Sequence, residues 1–549
     1  MTVSELVTRA ERWAADQPDV LACQVGGRAP RSAGYAEMAR SVEETVAALA
    51  LGGIRPGMRT VLLVYPGVEL GVLVLSLLRL GAVPVMVDPG LPYAAVRRCL
   101  ERAAPEAFIG VPLAQAARLA LGWARRTARI VITVGGGPFR PGAALGNLRA
   151  VARDMTADMG TPIRDAVCMV LEPPGPDDPA LIAYTSGSTG PPKGVPLRHR
   201  HLTAQLDLLA GLDLIRPGSA VVSTFLPFAL GAAALGATAV LPELDPRRPL
   251  RFDPAALARD IQRYGVSTLF AAPALLDRLA RHCLAAGLVL GTLDTVAVAG
   301  APLPLPTLGR VRACLPGGAR VMSVYGATEC LPVAAIEGHD LMAAHAEQPG
   351  EGTCLGEPLP GVEVRVIGVT GEPIDRWDES LTVPAGTVGE IVVSSPAVGD
   401  PYLDDPRATA LARIPDGNRV WHRMGDLGRL DGQGRLWFAG RVSERVRTPD
   451  GDLCTDHVET LLAGTPGARR VALVGAGSRP VLVVEAEPGF RRDHVRKEIL
   501  ARAARHPRTA GLRDVLFHRS FPVDARHNSK IRRDLLAAWA ARRLRGGRR

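Results

Sequence analysis

The stretch Leu181-Ile-Ala-Tyr-Thr-Ser-Gly-Ser-Thr-Gly-Pro-Pro-Lys-Gly-Val195 opens on an apolar run of strand length and passes into a loop of threonine, serine and glycine that ends in lysine. Glycines such as Gly187 and Gly190 let the backbone turn until successive N–H groups point at one anion. Thr185, Ser186, Ser188 and Thr189 add hydroxyl donors, and Lys193 adds a mobile positive charge suited to phosphate. A flexible linker would lack the strand in front and the Pro-Lys-Gly behind. The GxxxxGK[ST] spacing of a Walker A loop is absent, so this is a phosphate cradle of another kind.

Outward from the loop, strand-like and helix-like segments alternate. Glu172-Pro-Pro-Gly-Pro-Asp-Asp-Pro179 marks a loop just ahead of the cradle. Asp253-Pro254 is an N-cap followed by proline at the first helical position, Gly265 can end that helix, and Gly265-Val-Ser-Thr-Leu-Phe270 turns into a buried strand. A helix over Pro273 to Leu288 and a strand over Thr295 to Ala299 follow, an order that predicts parallel sheets covered by helices. After about residue 355 the pattern changes to short strands and turns, at 362–367, 389–393 and 435–438. The expected fold class is α/β. A large N-terminal domain of layered αβ sheets covers 1–440 and includes a β-rich subdomain at about 355–440, and a small α+β C-terminal domain covers 441–549.

Composition narrows the function classes. Of 549 residues, 47% are hydrophobic and 22% charged, which suits a folded globular protein. The net charge of +10 owes much to a C-terminal arginine cluster, without the interleaved aromatics of a nucleic-acid surface. The eight cysteines form no CxxC pair, so neither a zinc site nor a disulfide framework is indicated, and a reducing cytoplasm is expected. The N-terminus reads as an amphipathic helix rather than a signal peptide. The uncharged run Ala220 to Pro242 is long enough to span a bilayer, but Pro227, Gly231 and Gly236 interrupt it. It reads instead as a buried strand, loop and helix beside a ligand pocket. The run Val61 to Val87, with Pro66, Glu69 and Arg79, reads as core, so no transmembrane segment is expected.

The loop from Thr185 to Gly194 resembles the signature of the adenylate-forming superfamily, which includes acyl-CoA synthetases, nonribosomal adenylation domains and luciferases. Further phrases follow in the order of that superfamily: Ala299-Gly-Ala-Pro302, Tyr325-Gly-Ala-Thr-Glu329, Met424-Gly-Asp426, Gly440-Arg441, and Lys530 in His527-Asn-Ser-Lys-Ile531. The resemblance implies a mobile C-terminal domain, ATP as substrate and Mg²⁺ as cofactor. It places Gly300, Ala301 and Pro302 beside adenine, Tyr325 on adenine with Gly326 and Ala327 in the same wall, and Thr328 on the α-phosphate. Glu329 would hold Mg²⁺ with Thr185 near it, Asp426 and Arg441 would meet the ribose, and Lys530 would be catalytic. A carboxylate is a poor acyl donor until attack on the α-phosphorus turns it into an acyl-AMP, and the repulsion between those two anions calls for Mg²⁺ and Lys530.

Departures from the superfamily pattern narrow the branch. In Gly440-Arg-Val-Ser-Glu-Arg-Val-Arg-Thr-Pro-Asp450, Ser443 stands at the hinge aspartate, Arg447 replaces a lysine, and Asp450 stands where a CoA ligase carries a loop glycine, although Gly451 could compensate. The segment Thr224 to Gly236, with Phe228, Leu230 and Gly231, offers an apolar lining for an alkyl chain and lacks the pocket histidine common in CoA ligases. Leu226-Pro-Phe-Ala-Leu230, Trp421-His-Arg-Met-Gly-Asp426, Gly434-Arg-Leu-Trp-Phe438 and Phe521-Pro-Val-Asp-Ala-Arg-His-Asn528 resemble the β-lactone synthetases of bacterial olefin and β-lactone pathways. That resemblance implies ATP-dependent closure of a β-hydroxy fatty acid through its acyl-AMP, with association with pathway enzymes by analogy. The alternatives are a fatty acyl-CoA or acyl-AMP ligase and an inactive nucleotide-binding scaffold. His199, His201, His422 and His457 lie near motifs but read as structural, and no base for the hydroxyl can be named.

Overall fold

The computed structural model describes residues 5–27, 30–88, 90–137, 139–163, 165, 172–185, 190–245, 247–524 and 530–546. Two large sheets form the body. The first has seven strands in the order Ala143–Ala144, Ile130–Thr133, Ala107–Gly110, Arg59–Leu63, Val83–Met86, Pro179–Tyr184 and Gly194–Arg198. All neighbours are parallel except the last pair, so the chain between Tyr184 and Gly194, which holds the Ser/Thr/Gly-rich stretch, links the two antiparallel strands at one edge. The second sheet has fourteen strands. Its parallel block runs Leu21–Val25, Thr238–Leu241, Ala220–Ser223, Thr268–Ala271, Thr295–Ala299 and Arg320–Ala327. Pairing then turns antiparallel at Cys330–Glu337 and continues unbroken through Thr353–Pro358, Leu436–Arg441, Arg419–Leu430, Gly389–Ser394 and Glu363–Ile367.

Local chemistry explains the main elements. The helix Pro254–Arg263 starts at Asp253, whose carboxylate accepts the Ala255 N–H at 2.9 Å. The helix Val68–Leu80 has ten buried residues and ends at Gly81, which takes a left-handed φ of 72°. The charges in this apolar region are paired: Glu69 with Arg149 at 2.7 Å, and Arg79 with Glu11 of the N-terminal helix Glu5–Asp16. The run Ala220 to Pro242 folds as strand, helix Leu226–Ala234 and a second strand, so its last part is a strand rather than the end of a helix. Among the described residues, no helix is long and apolar enough to cross a membrane.

The smaller C-terminal domain is built on a three-stranded sheet, Ala468–Ala476, Arg479–Ala486 and Asp514–Phe517. Alternate side chains feed two cores, as the period of a strand requires. Leu473, Leu482 and Val484 pack on the helix Arg492–Ala503, while Val474, Val481 and Val483 pack on the helix Arg533–Gly546.

Candidate active site

A single cavity of about 2530 Å³ lies at the carboxyl ends of the parallel strands of both sheets, the usual place for ligands in such folds. Its wall includes Thr185, Gly190 and Lys193 of the loop, Gly300, Tyr325 to Glu329, Arg441 and, from the C-terminal domain, Lys530. Ala301 and Pro302 follow Gly300 but are not part of the wall. Ser186, Gly187, Ser188 and Thr189 lie outside the described residues, as do His527 and Asn528. The two ends of the loop are tied together: Thr185 N–H donates to the Lys193 carbonyl at 3.0 Å, and Lys193 N–H donates to Thr185 Oγ1 at 3.3 Å.

Two polar groupings shape the reactive end. Tyr325 donates its hydroxyl to Asp426 Oδ2 at 2.7 Å, and Arg441 Nε lies 3.0 Å from Asp426 Oδ1. Asp426 and Arg441 face each other across adjacent strands, so the pairing is written into the sheet register. Burial, then the Asp426 charge, lifts the Tyr325 hydroxyl far above the usual tyrosine value, so it stays a donor. The second grouping centres on Glu329, whose Oε1 accepts the Tyr402 hydroxyl at 2.7 Å. Lys193 Nζ sits 4.6 Å from the centre of the Tyr402 ring, a cation–π contact that holds the ammonium near Glu329. Sequence reasoning missed Tyr402, because Pro401-Tyr402-Leu403 carries no signal until the fold brings it to Glu329.

The turn carrying Glu329 depends on Gly326. A Cβ there would stand 2.9 Å from Leu331 Cβ and 3.1 Å from the Cys330 carbonyl oxygen, so only glycine fits. Lys530 is tied to Asp524: its N–H donates to Asp524 Oδ1, and Asp524 N–H donates to its carbonyl, each at 2.9 Å. Three residues further on, Arg533 pairs with Glu444 at 3.2 Å and Glu459 at 2.7 Å, which anchors the Lys530 segment to the Gly440–Arg445 junction. Burial pushes Glu459 up to about 7 despite Arg533. His199, His201, His422 and His457 are all buried, and burial pushes each down to about 4, so all four are neutral near pH 7.

The apolar part of the cavity includes Phe228, Leu230 and Gly231. Phe228 stacks on Phe270 with ring centres 4.1 Å apart. In the hairpin Val446–Thr448 and Gly451–Leu453, the positive φ (119°) falls on Gly451, and Asp450 avoids it.

The Ser/Thr/Gly loop ending at Lys193, the Tyr325–Asp426–Arg441 grouping and Lys530 of the C-terminal domain are the arrangement expected of an adenylate-forming enzyme. The chain belongs to the AMP-binding enzyme family, whose model matches residues 10–403. It is 43% identical to an olefin β-lactone synthetase of Xanthomonas campestris and 42% identical to one of Stenotrophomonas maltophilia, with 98% of both chains covered in each case. The amide bond synthetase McbA of Marinactinospora thermotolerans superposes with a TM-score of 0.78 at 25% identity, covering 97% of this chain and 99% of that one. ATP-bound MatB of Rhodopseudomonas palustris shares the fold, with a TM-score of 0.78 at 22% identity over 98% of this chain and 99% of that one.

Proposed function

We propose that the protein converts a β-hydroxy fatty acid into a β-lactone at the expense of ATP, through an acyl-AMP. What carries this reading is a single cavity wall that joins Lys193, Glu329 and Lys530 to an apolar arm. The acid's carboxylate attacks the α-phosphorus and pyrophosphate leaves. The hydroxyl on the same molecule then attacks the acyl carbon, and AMP departs. Both partners of the second step belong to one substrate, so proximity supplies much of the rate. Lys530 offsets the repulsion between carboxylate and phosphate, Thr328 faces the α-phosphate, and the Asp426–Arg441 pair meets the ribose. The loop from Thr185 to Lys193 holds the leaving pyrophosphate. Glu329 and substrate phosphates are hard oxygen donors that suit Mg²⁺, with Thr185 near it, and the ion would supply charge neutralisation there. The unpaired thiols of seven described cysteines support a cytoplasmic setting.

The decisive assay supplies ATP, Mg²⁺ and a racemic β-hydroxy fatty acid without CoA, and measures AMP and lactone. A product that forms only when CoA is added would overturn the proposal in favour of an acyl-CoA ligase, a reading that the glycine dihedral at Gly451 keeps open. Lys530→Ala should lower ATP–pyrophosphate exchange by about a hundredfold or more. Near-normal exchange would remove Lys530 from the mechanism.

A further inference from the structure

The cavity wall contains a polar side chain that the scheme above does not use. Gln205 sits on the helix His199–Gly211 and is part of the wall. Its Nε2 is enclosed by protein and meets no hydrogen-bond partner. Its helix neighbours fix its place. Leu202, one turn earlier, packs in the cluster that contains Tyr402, the partner of Glu329. Ala204 and Leu208 pack in the cluster that contains Tyr325 and Ala327. On the other side, Leu206 and Leu209 meet the helix Leu226–Ala234, where a Cβ on Gly231 would lie 3.9 Å and 3.4 Å from their methyl carbons. Gln205 therefore stands where the reacting end of the cavity gives way to the apolar arm.

A buried amide N–H without a partner is costly, and native proteins keep few of them. Its neighbours on this face, Leu202, Leu206 and Leu209, are apolar, and His201 one turn earlier already has Arg198 N–H and Arg200 Nε on its two ring nitrogens, so a ligand oxygen is the natural acceptor. A carboxamide can donate a hydrogen bond to a hydroxyl oxygen through its N–H and accept one from the hydroxyl through its carbonyl oxygen, so one rotation serves either bond.

We propose that Gln205 binds the substrate's β-hydroxyl and holds that oxygen against the acyl carbon for ring closure. This rests on the lactonisation reading above. In the step, the hydroxyl oxygen bonds to the acyl carbon and the bond from that carbon to the phosphate oxygen breaks. The electron pair leaves on AMP, and the hydroxyl proton passes to a phosphate oxygen of the departing AMP. Gln205 stays neutral throughout and supplies orientation only. When the hydroxyl is not held, water competes for the acyl-AMP and free hydroxy acid is returned.

The test is a single-turnover measurement on the full chain with a β-hydroxy fatty acid, scoring lactone against regenerated free acid. It compares the unaltered protein with Gln205→Leu and Gln205→Met. Both variants should lower the lactone-to-acid ratio by about tenfold. Exchange of pyrophosphate into ATP, measured with the matching unhydroxylated acid, should fall much less than lactone formation does. An unchanged lactone-to-acid ratio, or equal losses for the two acids, would overturn the assignment, since packing alone would then explain Gln205. If the unaltered protein forms AMP but no lactone, the lactonisation reading fails and takes this inference with it. Lactone from the unaltered protein with no change in the variants defeats the inference alone.

Discussion

His199 is buried and, among the described residues, neither of its ring nitrogens meets a hydrogen-bond partner. Burial holds it near 4, below the ordinary value of 6.5. The sign follows from proton counting: between those two values the unfolded chain binds the extra proton, so stability is full above pH 6.5 and is lost as pH falls toward 4. From pH 7 to pH 5 the loss is about 2 kcal/mol for this one group. His199→Leu should therefore lose about that much less than the unaltered protein, as read from urea midpoints at the two pH values. An equal loss in both would show that His199 is solvated or paired. Legibility at this scale divides by chemistry. Glu329, Asp426 and Lys530 stand out in the sequence because each sits in a phrase that resembles one of the adenylate-forming superfamily. Tyr402 and Gln205 do not, because an ordinary tyrosine and glutamine acquire their places only when a distant strand or helix packs beside Glu329 or the apolar arm.

The elements show the same division. The helix start at Asp253 is legible because capping is local. The strand Thr238–Leu241 is less so, since its pairing with Leu21–Val25 is a contact far along the chain. The helix Leu226–Ala234 carries the element-scale prediction. Gly231 has room for a Cβ at ordinary contact distance, and anything larger would project toward Leu206 and Leu209, which line the same cavity. Gly231→Phe should lower kcat/KM for long-chain acids by about tenfold or more and for short-chain acids much less. A uniform loss across chain lengths would mean that the helix, rather than the arm, had been disturbed.

Across the whole molecule, the C-terminal domain is held to the body by a few polar contacts. Arg508 pairs with Glu351 at 2.7 Å, Glu351 also pairs with Arg429 at 3.1 Å, and Thr353 donates to Asp456 Oδ2 at 2.7 Å. The partly exposed Arg508–Glu351 pair is worth about 0.5–1 kcal/mol. Arg508→Ala should thus weaken the docking of the C-terminal domain by about two- to fivefold, visible as slower adenylation and faster proteolysis near residues 440–445. Unchanged proteolysis would assign the hold to the buried Thr353–Asp456 hydrogen bond instead. None of these contacts was legible in the sequence, where charged residues at 351 and 508 look like ordinary surface. The unbroken pairing of the fourteen-stranded sheet has one more consequence. Tyr325, Asp426 and Arg441 ride on three strands of that sheet, locked in register before any sugar arrives. On the proposed function, folding has already met the entropy cost of assembling the nucleoside cradle, so recognition there would resemble a key entering a cut lock. On the same proposal, adaptation to different acids would fall to the helices around the apolar arm.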